Sequence, residues 1–423
     1  MSGILDFSAT CLVGCGLAFV MFGPYSSAHA SGAETVLHSF CSRSDCRDGE
    51  TPEGGLIMDR SGNLYGTTSN GGANWGGNVF KIAPDGTYKV LYAFCSQPNC
   101  TDGASPSGSP IMDGSGKLYG TTTVGGANNG GTVFKLAGDG TETVLYSFCF
   151  KTNCSNGALP LSGVIVGSSG KLYGTTSAGG QGSGTVFRLA ADGKEKVLYS
   201  FTAGTDGFSP SSLVLDSAGN LYGTTPGGGV NGNGNIFEVS SDGNFKVLYS
   251  FCSKASCADG YYPAAGLILD SSGNLYGTTQ NGGAYTYGTV FKLAPNGTET
   301  VLYDFCSKAD CRDGAYPAAS LIMDGSGNLY GTTQFGIGRN CYHRNPFECG
   351  TVFKFATNGT ETALYSFCSK ANCADGLEPE GSLIMDGSDN LYGTTFQGGR
   401  GHCVDGCGTV FRLDPGRESL EQN

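Results

Sequence analysis

The sequence predicts an all-β fold, a seven-bladed β-propeller of four-stranded antiparallel blades closed by its own N-terminal strand. Three observations predict it. First, Leu-Tyr-Gly-Thr-Thr occurs seven times, with its Leu at 64, 118, 172, 221, 275, 329 and 391, at spacings of 54, 54, 49, 54, 54 and 62 residues. A fixed period of this length marks a repeat architecture. Second, each copy sits among four short apolar or β-branched runs bounded by Gly, Asn, Asp and Pro, which is the signature of strands. Third, the strand count closes on itself. Glu34 to Phe40 reads as a fourth strand that precedes the first complete unit, and the last unit ends on its third, Gly408 to Leu413.

Residues 265–305 show one unit in full. Its runs are Leu267 to Leu269, Leu275 to Thr279, Thr289 to Leu293 and Thr300 to Phe305. Asp270 to Asn274 and Ala294 to Thr298 are short, Gly-bearing connections, so both predict hairpin turns. A longer Gly-rich loop, Gln280 to Gly288, joins the middle pair. The unit is therefore an antiparallel meander, apolar on both faces, as a sheet covered on both sides must be. Radial stacking buries both faces and leaves only short edges. A linear solenoid would need capping repeats with polar outer faces, and none is visible. Lending the N-terminal strand to the last blade completes every blade and locks the ring.

Composition agrees. Gly makes up 72 of 423 residues, which fits many tight turns and no long helix, while recurring apolar runs argue against low-complexity disorder. The net charge of −12 argues against nucleic acid and anionic membrane surfaces as partners. Residues 1–30 read as a signal peptide: Ala9 to Tyr25 is largely apolar and uncharged, and Ala28-His29-Ala30 is a small-x-small cleavage site. Its n-region carries Asp6 and no Lys or Arg, and Leu12 to Cys15 also resembles a lipoprotein box. The domain reading is a signal peptide over 1–30, the propeller over 31–413 and a polar tail over 414–423. No later segment reaches the length of a membrane span. A secreted, periplasmic or envelope location is expected, with a monomeric chain.

Two of the 18 Cys, Cys11 and Cys15, lie in the leader. Six pairs follow the fourth strand as Cys-x4-Cys: Cys41/Cys46, Cys95/Cys100, Cys149/Cys154, Cys252/Cys257, Cys306/Cys311 and Cys368/Cys373. In the remaining repeat, between Phe201 and Asp206, both cysteines are missing together. Joint loss is what a local disulfide predicts. Zinc needs about four N or S ligands and each loop offers two, so no metal and no cofactor is expected. Two further pairs, Cys341/Cys349 and Cys403/Cys407, sit in the middle loops of blades 6 and 7.

In a meander blade the connections alternate between the ends of the sheet, so the disulfide loops and the Gly-rich middle loops should share one face of the disc. There the loops carry Asp48, Asp102, Asp206, Asp259, Asp313 and Asp375, with Asn156 in the remaining one. These Asp either cap their own loops, as Asx turns do, or form a ring around the channel that could hold a glycan. Calcium fits poorly, because it takes six to eight oxygen ligands. The enlarged loops of blades 6 and 7 bring Arg339, His343, Arg344, Arg400, His402 and Asp405, and blade 1 adds Trp75. Loops on a rigid scaffold are where binding concentrates, so these are the candidate binding residues. There is no nucleophile elbow, phosphate loop or zinc-protease helix motif.

Ser-Gly-Asn-Leu-Tyr-Gly-Thr-Thr followed by Gly-Gly and Gly-Thr-Val-Phe-Lys-Leu resembles the bacterial GloVer tandem-repeat family over residues 34–413. The pattern is also similar to NHL-type propeller repeats. The resemblance implies an exported or surface protein of unassigned activity. Many members append a C-terminal anchoring or sorting domain, whereas here only Asp414 to Asn423 follow Leu413. The leading expectation is a non-enzymatic binding or scaffold protein for an extracellular glycan or protein. The alternatives are a propeller lyase or hydrolase working from the blade 6 and 7 loops, and a purely structural envelope protein.

Overall fold

The computed structural model describes residues 33–336, 349–403 and 406–416. Its strands form seven four-stranded antiparallel sheets. Blade 1 is Ile57–Met58, Leu64–Thr68, Asn78–Ile82 and Tyr88–Ala93, numbered here from first strand to fourth, and the later blades repeat it. Ala33–Ser39 pairs antiparallel with Thr409–Asp414 and supplies the fourth strand of blade 7, as the strand count requires. The first strands are only two residues long, shorter than the apolar runs predict. The residues before them turn to neighbouring blades instead: Gly55 N–H donates to Ser109 Oγ at 2.8 Å, and Gly266 N–H to Ser320 Oγ at 2.9 Å.

The repeated string is explained residue by residue. Leu is buried in each blade. In every blade but the third, where Gly167 replaces the Asp, the Tyr hydroxyl donates to the Asp of the preceding hairpin, as Tyr65 does to Asp59 at 2.9 Å. That Asp also accepts Ser61 N–H, Asn63 N–H and the Asn63 amide, so the hairpin carboxylate is occupied by its own turn. Gly is required because the third-strand Phe lies on it: a Cβ at Gly66 would stand 2.6 Å from Phe80 Cζ, and one at Gly393 would stand 2.7 Å from Phe411 Cζ. In five blades the first Thr reaches the next blade, as Thr121 Oγ1 does to Ser162 O and Thr224 Oγ1 to Ala265 O, both at 2.8 Å, while Thr278 and Thr332 Oγ1 are buried without a hydrogen-bond partner. The second Thr pairs inside its own blade, as Thr122 does with Thr132 at 2.8 Å, except Thr225 in blade 4.

Neighbouring blades interlock through three layers. A Phe ending each fourth strand meets the third-strand Phe of the next blade edge to face, as in Phe94 with Phe134 at 5.0 Å. Such aromatic pairs contribute roughly 0.5–1.5 kcal/mol beyond area burial. The Pro before each first strand packs on the Gly before the previous blade's third strand, as Pro106 does on Gly77. At the rim, a Glu opening the fourth strand meets a Lys from the preceding disulfide loop: Lys254–Glu299 at 2.7 Å and Lys370–Glu34 at 2.9 Å.

The aromatic and Pro-on-Gly layers are repeated where the chain closes, and at the rim His38 stacked on Tyr88 replaces the Glu–Lys pair. Phe40 meets Phe80 at 5.2 Å, Pro52 packs on Gly408, Thr51 N–H donates to Cys407 O at 3.0 Å, and Thr394 Oγ1 donates to Gly54 O at 3.2 Å.

Candidate functional site

The disulfide loops and middle loops share one face, joined by backbone bonds such as Gly72 N–H to Cys46 O and Gly126 N–H to Cys100 O, both 2.9 Å. The six Cys-x4-Cys pairs are all bonded as their spacing predicts: Cys41–Cys46, Cys95–Cys100, Cys149–Cys154, Cys252–Cys257, Cys306–Cys311 and Cys368–Cys373. Cys403–Cys407 closes the blade 7 middle loop in the same way. Cys349 is buried and disulfide-bonded, whereas Cys341, its expected partner, lies outside the described residues.

These cysteines build the loops rather than a ligand site. The second Cys of each pair ends a single 3₁₀ turn, as Cys154, Cys257, Cys311 and Cys373 do. Its carbonyl accepts the N–H of the Gly three residues on: Cys154 O from Gly157 and Cys257 O from Gly260 at 2.8 Å, Cys311 O from Gly314 and Cys373 O from Gly376 at 2.9 Å. In blade 6 the two kinds of loop meet, where Cys349 packs with Cys368, Cys373 and Leu377 in one buried apolar cluster. At the ring closure, sulfurs of Cys41, Cys46, Cys403 and Cys407 and a Glu50 carboxylate oxygen all lie within 4.8 Å of one another. The sequence does not reveal that two loops combine here. The four sulfurs are bonded to one another in pairs, as two abutting disulfides.

The loop aspartates are buried and occupied within their own loops. Asp102 Oδ2 accepts the Ser96 N–H and the Tyr92 hydroxyl, both at 2.8 Å, while Oδ1 accepts Gln97 N–H at 3.1 Å. Asp259, Asp313 and Asp375 repeat the pattern, and Asp206 does so in the loop without cysteines. At Asp48 burial acts against ionisation, yet His38, Ser42 and Arg43 together bring the carboxyl down to about 2.

Of the binding candidates, Arg400 and His402 are exposed on the blade 7 middle loop, where His402 N–H donates to Cys41 O at 3.3 Å. Trp75 stands exposed on the neighbouring blade 1 loop with φ 61°. Arg339, His343, Arg344 and Asp405 lie outside the described residues.

Two features of this face emerge only when the blades are superposed. The residue before each inner Pro has positive φ in all seven repeats, from Thr51 at 53° to Tyr262 at 62° and Glu378 at 53°. Its N–H reaches back to the previous blade, as Ser105 does to Gly76 O and Tyr316 to Tyr287 O, both at 2.8 Å. The residue after the Pro is Glu53 in blade 1 and Glu380 in blade 7, against Ser, Leu or Ala in the other blades. Burial raises the Glu380 carboxyl and Glu53 beside it raises it further, against a hydrogen bond from Gln334. Burial likewise raises Glu53, against a bond from Ser69 at 2.8 Å. The pair comes from opposite ends of the chain, and only ring closure brings it together.

On the hairpin face a cleft of about 210 Å³ opens between blades 2 and 3, lined by Met112, Asp113, Tyr119, Lys135 and Val166. Its carboxylate is held by its own turn, with Asp113 accepting Ser115, Lys117 and Tyr119.

The profile of the Gloeobacter/Verrucomicrobia repeat matches residues 25–164 and 143–343. The chain belongs to this family. No curated protein matches this Gloeobacter/Verrucomicrobia repeat protein. Among solved structures it is similar to virginiamycin B lyase from Staphylococcus aureus, with TM-score 0.56 and 14% identity, covering 90% of this chain and 98% of that one. It is also similar to the extracellular domain of a candidate one-component system from B. thetaiotaomicron, with TM-score 0.56 and 10% identity, covering 90% of this chain and 40% of that one. At such identities the likeness shows the propeller fold and not an activity. No helix among the described residues is long and apolar enough to cross a membrane, and the seven disulfides closed among them fit an extracellular or periplasmic protein.

Proposed function

We propose that this protein is an exported binding or scaffold module whose disulfide-loop face holds an extracellular glycan or protein, without catalysing a reaction. One observation carries the reading. The side chains that build the blades are nearly identical from repeat to repeat, while those on the loop face differ blade by blade. Folding explains the repeated positions. It does not explain why the face alternates between Trp75, Tyr262, Glu378, Glu380, Arg400 and His402.

Disulfides stiffen six of the seven fourth-strand loops, so the face is preorganised and little ordering entropy is lost on binding. Arg400, His402 and Trp75 belong to the proposed surface, and the sequence candidates Arg339, His343, Arg344 and Asp405 of the blade 6 and 7 loops are proposed to contribute to it. His38 serves the scaffold instead, stacked on Tyr88 at 3.8 Å and 3.2 Å from Asp48. The lyase among the structural neighbours shares the fold at 14% identity, which brings no reaction to this chain.

The test is a binding screen of the mature chain against polysaccharides and envelope proteins, repeated with Arg400→Ala/His402→Ala and with Trp75→Ala. Retention of a polysaccharide or protein, weakened by loop-face variants, is the expected result. Turnover of a substrate that is lost in His343→Ala or His402→Ala would replace this reading with the enzyme.

A further inference from the structure

We propose that the aromatic arc on the loop face of blades 4 to 6, built by Phe208, Tyr261, Tyr262, Tyr285, Tyr287 and Tyr316, is a stacking subsite for a neutral hexose polysaccharide. This deepens the loop-face reading above and rests on it.

The scaffold does not need these rings. Two residues before the inner Pro, Phe208 and Tyr261 stand where other blades carry Glu50, Ala104, Ala158, Ala315 and Leu377. Directly before the Pro, Tyr262 and Tyr316 stand where others carry Thr51, Ser105, Leu159, Ser209 and Glu378. Tyr287 takes the place of Gly76 and Gly130. Blades with small residues at these positions form the same sheets.

Backbone strain points the same way. The position before the Pro is left-handed in every repeat, with Tyr262 at φ 62° and Tyr316 at φ 54°. A non-Gly residue there costs roughly 1–2 kcal/mol, and Gly would remove the strain. In a chain with 72 glycines, none occupies this position in any of the seven repeats. The backbone requirement is common to all blades, so the choice of a large ring in two adjacent ones comes from what the side chain meets.

Some of the rings are in direct contact. Tyr316 lies edge to face with Tyr287 at 5.4 Å and with Phe335 at 5.3 Å, which spans the seam between blades 5 and 6. Burial raises the Tyr316 phenol, and Tyr287 and Tyr261 beside it raise it further, so three phenols crowd one spot. Phe208 occupies the space beside Gly227, where a Cβ would stand 2.1 Å from its Cζ; the other blades carry a side chain at that position. Tyr262 is 43% exposed and Tyr285 49% exposed, so both present ring area to solvent. Exposed aromatic area gathered on one face marks a recognition surface.

The chemistry of the surroundings selects the occupant. Tyr combines an apolar face for the C–H side of a pyranose with a hydroxyl for its polar edge. The adjoining arc on blades 6, 7 and 1 supplies Gln334, Gln397, Glu378, Glu380 and Glu53, hydrogen-bonding groups suited to sugar hydroxyls. Carboxyls there oppose an acidic glycan. The lysines of the flanking loops are directed outward, Lys254 to Glu299 at 2.7 Å and Lys308 to Glu361, so no free cation from them answers a polyanion.

The experiment measures binding of the mature, disulfide-bonded chain by affinity electrophoresis in gels cast with a neutral β-glucan, a neutral α-glucan, a mannan, a polyuronate or chitosan. The variants return each position to a residue the repeat already tolerates: Tyr262→Ser, Tyr316→Ser and Tyr287→Gly. Circular dichroism and melting confirm that each folds. The expected result is retention by at least one neutral glycan, weakened about tenfold or more by each Tyr variant, with Arg60→Ala, an exposed residue of a hairpin turn, unchanged. A polyuronate, chitosan or protein ligand lost in His402→Ala and kept in the Tyr variants overturns the subsite while leaving the loop-face reading intact. No retention of any ligand by the folded wild-type chain overturns both.

Discussion

Replacing Glu142 by Gln should stabilise the protein at pH 8 and leave it nearly unchanged at pH 5. Glu142 opens the fourth strand of blade 2, where the equivalent glutamates Glu195, Glu299, Glu361 and Glu34 each face a Lys of the preceding loop. At this seam the loop carries Gln97 at that position, Glu142 Oε1 is buried without a hydrogen-bond partner, and no cation compensates it. Burial, with the Asp102 charge behind it, pushes the carboxyl up to about 7 from 4.5. The folded state therefore binds a proton more tightly than the unfolded state, so the associated stability is fully present below about pH 4.5 and is lost as pH rises through 7. A shift of that size corresponds to at most about 3 kcal/mol, and partial exposure reduces it to about 1–2 kcal/mol. Urea midpoints at matched slopes, taken at pH 5 and pH 8, isolate the effect as the difference between variant and wild type. Gln97→Lys should recover part of the same stability at pH 8 by supplying the missing cation, and the two substitutions together should add to less than their sum. A variant-minus-wild-type difference equal at both pH values would refute the seam argument.

Three further outcomes follow from the packing. Lys370→Met should cost about 3 kcal/mol, because Glu34 is fully buried and its charge would lose its partner; Glu34→Gln/Lys370→Met should recover most of that in thermal melts. Gly393→Ala should cost about 1–3 kcal/mol by driving a Cβ into Phe411, whereas Gly387→Ala, at a position open to solvent, should lie within about 0.5 kcal/mol of wild type in the same melts. Thiol titration of the denatured, unreduced mature chain should find no free thiol, and Cys95→Ala/Cys100→Ala should lose roughly 2 kcal/mol.

What the sequence reveals is what repeats locally. Leu-Tyr-Gly-Thr-Thr and the paired cysteines are legible because, the first Thr apart, their partners lie in the same blade or the same loop. The closure is legible because strands can be counted. The seams are harder: Lys254 and Glu299 sit in different repeats, and their pairing needs the radial packing. At two seams the pair is replaced by a stack, His38 on Tyr88 and Tyr199 on Phe245, a coupled change visible only after superposition. The Glu53 and Glu380 pair is hidden for the same reason, since a closed ring makes neighbours of residues that begin and end the chain. The Tyr262 and Tyr316 positions carry a signal in the sequence, the residue before a recurring Pro. Its meaning depends on a left-handed φ that sequence alone does not show.

The assignment of a single binding face depends on Ala33–Ser39 being the fourth strand of blade 7. Hydrogen exchange of the native chain, followed peptide by peptide, tests this most directly. The amides of Ala33–Ser39 should exchange as slowly as those of Thr409–Asp414, their antiparallel partner, and both should lose protection together when Lys370→Met weakens the seam. Exchange of Ala33–Ser39 at the rate of a free chain while Thr409–Asp414 stays protected would contradict the closed ring.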